Sequence, residues 1–558
     1  MPPRAISRRV ARVGVYQWLS LVAAIWLQSI SGTNFNFPAY SSHLKQAMSI
    51  CQVDLNNLAF ASDAGKLLGW LSGVAALHLP IWLVLLIGAS LGLISYGLQY
   101  LFLANHIPTA ELSYPLLFFL TMLAGNSICW MNTVCYAVII GSFPSGSRQV
   151  AVGLTTAYQG LSANIYTNIV NVVAPAPTFA VSPHTPHPTA GRRANTYLLL
   201  SSVLPAIVSA VTAPFVSEKD DIASHGVREL FGVLYVITIA TGLYAVISSM
   251  GAIATKISPV YNAIGIGLFL IAPLMIPLIK RIRGSWLGRW WTNRQHESTR
   301  ITDVAMSGSE AEDSHHLGGG ESVLVIIKGG GHGDRQGNIG TVREDVGVKL
   351  MLRRLDFWLY FFMYLCGATL GLVYLNNLGQ ITESRGTSRT STLVSLSSAF
   401  SFFGRLLPSL LDYFSREKYM ISRPACVVAL MVPMTGSFFL LLNSSILCHY
   451  ISTAVISACT GAITSIAVSI TTELFGTKNF SVNHNILVAN IPIGSFIFGY
   501  FAAVLYRREG NGDGECIGME CYRNSFIIWG CLCFLGTNLA LLLYARSRSF
   551  YSQGSTRR

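Results

Sequence analysis

Charge is scarce in this chain: only 11% of its 558 residues are Asp, Glu, Lys or Arg, and 25 are acidic. Soluble domains carry about 25% charged residues, so a water-exposed globular surface is excluded. Other absences narrow the chemistry. No GxxxxGK[ST] phosphate loop occurs, and the glycine triplets at 318–320 and 329–331 read as flexible linker. The eleven cysteines are scattered, most of them inside apolar runs where they act as small packing residues. The pair Cys531 and Cys533 has no histidine beside it, so zinc is not expected. No nucleophile–base pair stands out. Neither an enzyme, a cofactor nor a metal site is expected.

Apolar residues are abundant instead, at 52%, with a mean hydropathy of +0.50. The fold class expected is an all-α polytopic membrane protein. Stretches long enough to span a bilayer fall near 17–38, 58–77, 80–103, 113–140, 149–172 and 195–216, then 229–250 and 259–280. Six more lie near 357–379, 391–411, 423–443, 447–472, 484–505 and 524–546. The spans fall into groups of six, two and six. The expected organisation is an N-terminal bundle over 1–216, a central pair over 217–280 and a cytosolic loop over 281–356. A C-terminal bundle over 357–546 and a cytosolic tail over 547–558 complete it.

The net charge of +13 is read as topology rather than as nucleic-acid binding. If the N-terminus is cytosolic, 21 Lys and Arg fall in short cytosolic segments, among them Arg4, Arg8, Arg9 and Arg12, against nine in the opposite loops. That bias predicts a multi-pass protein with both termini cytosolic. It does not distinguish the plasma membrane from an endomembrane. Within loop 281–356, RGSWLGRWW suits a lipid-surface patch. In REDVGVKLMLRRLDFW, the spacing of Val346, Leu350 and Leu355 predicts an amphipathic surface helix.

The outer groups of six look like distant copies. SDAGKLLGWLSG (62–73) aligns with SAFSFFGRLLPS (398–409) after a one-residue shift that matches Gly69 to Gly404. GSFP (141–144) stands where ELFG (473–476) stands in the second half, and the polar end of the first span matches YLNNLGQ (374–380). Two parallel six-helix halves resemble a major facilitator architecture, with a site at mid-membrane between them.

Polar groups inside spans mark the candidate site, because unsatisfied ones are costly in hydrocarbon. The first span turns polar late, through Gln28, Ser29, Ser31, Thr33, Asn34 and Asn36, with Gly32 and Pro38 shaping its end. Asn126 and Trp130 share a face of the fourth span, and Tyr374, Asn376 and Asn377 sit in the ninth. Each could equally be a bond between helices. Arg405 lies about fourteen residues into the tenth span, where it needs water, an acid or an anionic ligand. A bound carboxylate and an ion pair with Asp412 are the alternatives. Asp63 and Lys66, three apart, can neutralise one another and act in coupling or gating; Glu473 is an inner-gate candidate. Gly65, Gly69 and Gly73 suit close helix packing. Cys516 and Cys521, in a non-cytosolic loop, form either a short disulfide or two free thiols.

Several stretches resemble the plant nodulin-like major facilitator proteins of the nuclear-fusion-defective type: WLQSISGTNFNFPAYSSHLK, GWLSGVAALHLPIWLVLLIGASLGLISYGLQYL, NNLGQITESRG, ELFGTKNFS and GECIGMECYRNSFII. The likeness spans nearly all of both bundles and the central pair. It implies a transporter-like fold and does not supply a cargo. A more distant similarity is to oxalate/formate and monocarboxylate carriers, in which a basic residue at the place of Gly404-Arg405 faces the substrate carboxylate. Their Phe-Pro-Lys reads Phe37-Pro38-Ala39 here, and the acid one turn before the arginine is replaced by Ser401, so their coupling does not carry over.

The function expected is secondary transport of a small organic anion, monocarboxylate-like, by alternating access, with Arg405, Asn34, Asn36, Asn126, Trp130, Tyr374, Asn376 and Asn377 at the site. Alternatives are a neutral or cationic solute, or a transporter-like receptor or scaffold. The partners expected are the lipid bilayer and a small solute, with a proton in some cases. No nucleic acid is expected, and the protein is expected to be a monomer.

Overall fold

The computed structural model describes residues 3–50, 52–108, 112–175, 188–216, 227–249, 258–282, 345–386, 390–415, 422–510 and 516–556. Everything regular among them is helical. The first half contains α1 (Pro3–Ser31) and α2, which runs Gln52–Ala64, a tight turn Gly65–Leu68 and Gly69–His78. It continues with α3 (Ile81–Leu103), α4 (Tyr114–Ser142), α5 (Ser145–Gly160 then Ser162–Val173) and α6 (Pro188–Thr212). The central pair is α7 (Val227–Ser249) and α8, from Pro259–Ile271 on through Ala272–Leu274. In the second half, α9 comprises Leu355–Tyr364, a π turn Leu365–Thr369 and Leu370–Asn376. It is followed by α10 (Thr390–Ser415), α11 (Arg423–Leu440), α12 (Ile446–Phe475), α13 (Phe480–Val488 then Asn490–Glu509) and α14 (Glu520–Thr556).

Among the described residues, eleven of these helices are long and apolar enough to cross a bilayer; α1, α2 and α5, which lie at the other three expected spans, are not among the eleven. Gln17 of α1 donates to Ser142 O, Ser469 of α12 donates to Gln149, and Tyr551 of α14 donates to Glu473, so the contacts of α1 and α14 define one face, called here the terminal face. Prolines 115, 259 and 424 open α4, α8 and α11, at positions where the missing N–H has no intrahelical partner to lose.

Glycine sets how closely α2 and α4 cross. A Cβ on Gly65 would meet Met122 O at 2.0 Å, and one on Gly125 would meet Ser62 O at 1.8 Å. The second half repeats this crossing: a Cβ on Gly404 would meet Ala458 O at 2.1 Å, and one on Gly461 would meet Ser401 O at 2.5 Å. The same three-residue offsets hold in both pairs, so Gly65 is the counterpart of Gly404. The sequence alignment had matched Gly69 instead, a slip of one helical turn that a ladder of glycines four residues apart invites. With the corrected register, Lys66 and Arg405 occupy equivalent places.

The central pair touches both halves. Trp26 of α1 donates to Leu270 O at 2.7 Å and Asn164 of α5 to Ala245 O at 3.3 Å, while Tyr413 of α10 donates to Arg228 O at 3.3 Å. The RGSWLGRWW patch and the glycine triplets lie outside the described residues. The expected amphipathic helix reduces to six residues, Val348–Arg353. Met351 is its buried side chain and Val346 is buried just before it, whereas Leu350 within it and Leu355 beyond it are exposed. Val346 N–H bonds to Phe475 O at 3.0 Å and Asp345 accepts from the N–H groups of Thr477 and Lys478. This segment docks on the α12–α13 turn rather than lying free on a surface. On the opposite face, Cys516 and Cys521 are joined in a disulfide.

Candidate functional site

Where the halves meet, a cavity of about 110 Å³ is lined from α1, α2, α4, α5, α9, α10, α12 and α13. Asn34 and Phe35 enter it from the tight turn Thr33–Asn36 that ends α1. Arg405 enters from α10. It is 6% exposed, and its Nη1 donates across the halves to Gln159 Oε1 and to Thr156 O of α5. Its Nε is buried without a hydrogen-bond partner, and none of the described carboxylates pairs with it. Tyr136 and Tyr364 line the same cavity.

Lys66, the counterpart of Arg405, is neutralised. Its ammonium donates to Asp63 Oδ1, three residues away on α2. The other oxygen, Asp63 Oδ2, accepts from Ser495 of α13 at 2.7 Å and from Asn376 of α9 at 3.3 Å. One carboxylate thus gathers three donors, two of them from the other half. In the second half the place of Asp63 is held by Phe402, so the pseudo-symmetry is broken at the acid. The lining therefore carries two cations and one anion, a net excess of one positive charge beside the imidazole of His484.

The halves also touch on either side of this cavity. Toward the terminal face, a Cβ on Gly73 would meet Ser481 O at 2.7 Å and one on Gly153 would meet Ser409 Cβ at 2.3 Å. Asn485 donates to Thr133 at 2.8 Å, and Ser469 donates to Gln149. Toward the opposite face, Phe60 and Phe496 have ring centroids 5.4 Å apart. Ligand pockets usually hold about 300–1,000 Å³, so 110 Å³ suits only a very small solute unless the halves move.

Of the residues singled out in the sequence, Asn34, Asn376, Arg405, Asp63 and Lys66 converge on the cavity. The others point elsewhere. Asn36 donates to Ser201 at 3.3 Å, and Asn126 donates to Gly65 O while accepting from Trp130 at 3.0 Å. Tyr374 is fully buried on Thr453, and Asn377 donates back to Val373 O. Two residues of the polar end of α1 bond locally, Ser29 to Trp26 O and Ser31 to Gln28 O, while Thr33 accepts from Tyr96 at 3.0 Å. Asp412 does not meet Arg405. It pairs with Arg423 at 2.9 Å, and Glu473 joins the same guanidinium at 3.1 Å with Tyr551 donating to its other oxygen. That cluster braces α10, α11, α12 and α14 within one half rather than bridging the two.

Gln159, Asn132, Tyr364, His484 and Asn485 line the cavity and were not among the expected site residues. A signal existed in SVNHN (481–485), an unusually polar run, but the span was drawn from 484 whereas α13 starts at Phe480.

Comparisons with known proteins agree with this architecture. Residues 17–278 match the Nodulin-like family model, and residues 338–553 match the NFD4 C-terminal domain. The chain is 37% identical to the Arabidopsis thaliana protein NUCLEAR FUSION DEFECTIVE 4, over 96% of this chain and 89% of that protein. Among solved structures, the major facilitator transporter FucP in an outward conformation aligns with a TM-score of 0.51 at 10% identity, covering 94% of this chain and 99% of FucP. The proton:xylose symporter XylE, bound to a bromodeoxyglucose, aligns with a TM-score of 0.50 at 12% identity, over 96% of this chain and 95% of XylE. Those identities speak for the fold alone, whereas the Arabidopsis relative, matched along nearly the whole chain, shows the family. This chain is a multi-pass membrane protein that belongs to the nodulin-like family and has the major facilitator fold.

Proposed function

We propose that the protein is a secondary transporter of a small organic anion, with monocarboxylates as the favoured class, working by alternating access of its two halves. The observation that carries this reading is the asymmetry of the two equivalent cations: Lys66 is cancelled by Asp63, while Arg405 has no carboxylate and keeps Nε unpartnered. A guanidinium can take a carboxylate through two parallel hydrogen bonds. Asn34 and Asn376 flank the anion, and Asp63 with Lys66 acts as a clasp between the halves. Asp412 and Glu473, both engaged by Arg423, hold the terminal end of the second half together. Both termini are cytosolic, a reading supported by the excess of Lys and Arg on that side.

A second reading rests on the bonds from Arg405 to Gln159 and Thr156. There the arginine latches the halves and the cargo is a neutral solute. Reconstitution in liposomes separates the two, with uptake and thermal shifts recorded against small mono- and dicarboxylates, amino acids and sugars. The anion reading expects stabilisation by one carboxylate that weakens at least about tenfold in Arg405→Ala, the scale of one charged hydrogen bond. Stabilisation by a sugar or other neutral solute, or carboxylate uptake unchanged in a correctly inserted Arg405→Ala protein, removes it.

A further inference from the structure

A second cavity lies away from the centre, on the opposite face of the first half. It holds about 510 Å³ and is bounded by α3, α6 and the short helix Phe37–Met48 that continues α1. That helix is anchored by Tyr40 and Leu44, both 2% exposed. Its His43 lies against bare α6 backbone, where a Cβ on Gly191 would meet the imidazole Nε2 at 2.7 Å. His43 Nδ1 and Asn195 Oδ1 are buried without hydrogen-bond partners. Burial lowers the His43 pKa from its ordinary value, which leaves Arg192 as the full charge of the lining. Among the described residues no carboxylate lines the cavity, and Arg192 makes a 3.4 Å bond to Val173 O.

Below this polar cup the surface of α6 is apolar. Leu199, at the rim, begins a stripe with Val203, Ile207 and Val211 at every fourth residue, all four between 37% and 55% exposed. Twelve residues of helix extend about 18 Å at 1.5 Å each, a little more than half of the roughly 30 Å hydrocarbon core. A cationic cup above a leaflet-deep apolar stripe matches one kind of amphiphile.

We infer that this cavity binds the phosphate-bearing head group of a membrane phospholipid, with an acyl chain laid along Leu199, Val203, Ile207 and Val211. Arg192 takes the phosphate by charge-assisted hydrogen bonds, and the Asn195 amide and His43 imidazole complete the cup. The bound lipid braces the helix Phe37–Met48, and through it the turn that carries Asn34 and Phe35 into the central cavity.

The test uses the full chain in detergent micelles, titrated with dihexanoyl phosphatidylglycerol and followed by native mass spectrometry. One saturable lipid is expected, bound about tenfold more weakly by Arg192→Gln, the loss of one charged hydrogen bond, and also weakened in Asn195→Ala. Arg508→Gln makes the same charge change on the same face of the other half and should leave binding unchanged. Equal weakening in Arg192→Gln and Arg508→Gln would mean general surface attraction and would overturn the site. Glycerol 3-phosphate binding as tightly as the lipid would make it a soluble-phosphate pocket, and the absence of a saturable lipid would overturn the inference outright.

Discussion

The carboxylate of Asp63 offers the sharpest test of how the halves are held. Its side chain and that of Lys66 are 6% and 11% exposed, and Ser495 and Asn376 donate to it from the second half. Asp63→Asn leaves the ammonium without a counter-charge, and removing one partner of a buried pair costs about 3–5 kcal/mol. Because the pair borders a polar cavity, the low end, about 3 kcal/mol, is expected here. Lys66→Met should cost less, since Asp63 retains the Ser495 hydroxyl and the Asn376 amide. Removing both charges leaves no buried ion, so the double variant should lie within about 1 kcal/mol of the parent, a coupling of about 2 kcal/mol or more. Unfolding titrations with SDS in mixed micelles, run on all four proteins, give the cycle. Additive losses in the double variant would show that the two charges do not neutralise one another, and the account of Arg405 as the uncancelled cation would fall with them.

Arg423→Met should destabilise by about 3 kcal/mol or more by stranding Asp412 and Glu473, and the triple variant D412N/R423M/E473Q should recover most of that in thermal unfolding. At Gly73, where a Cβ would stand 2.7 Å from Ser481 O, valine should keep α2 from closing on α13. Spin labels on the terminal-face ends of those helices should then read a longer separation than in the parent, at a cost of about 1–3 kcal/mol. Cys516 and Cys521 are five residues apart, so C516A/C521A should lower stability by about 2 kcal/mol at most, on the loop-closure scale.

The class of the protein was legible because it follows from solvent. A chain with so little charge and so many apolar runs must satisfy its backbone within helices in lipid, and each of the fourteen expected stretches overlaps one of α1 through α14, eleven of which are long and apolar enough to cross. Boundaries were less legible where a helix passes from the membrane into packed protein. Hydropathy put the start of the thirteenth span at 484, but Phe480 to Asn485 are buried against α2 and α4 rather than in lipid, and burial in protein leaves no hydropathy signature. His484 and Asn485 were missed for that reason.

Taken alone, the sequence determined the helices, the two-fold repetition and the presence of isolated charges at membrane depth, since each is a property of local composition and spacing. Tertiary structure decided which polar groups face the cavity and which tie helices together. Asn34 and Asn36 stand two residues apart in one polar turn, yet the first lines the cavity and the second bonds Ser201 on α6. The register of the repeat was likewise beyond the sequence, because glycines four residues apart present the same pattern whichever one is matched. Only the reciprocal crossings at Gly65 with Gly125 and at Gly404 with Gly461 fix it. Those crossings make Lys66 and Arg405 equivalent, and the acid beside one and not the other leaves a single positive charge uncancelled between the halves.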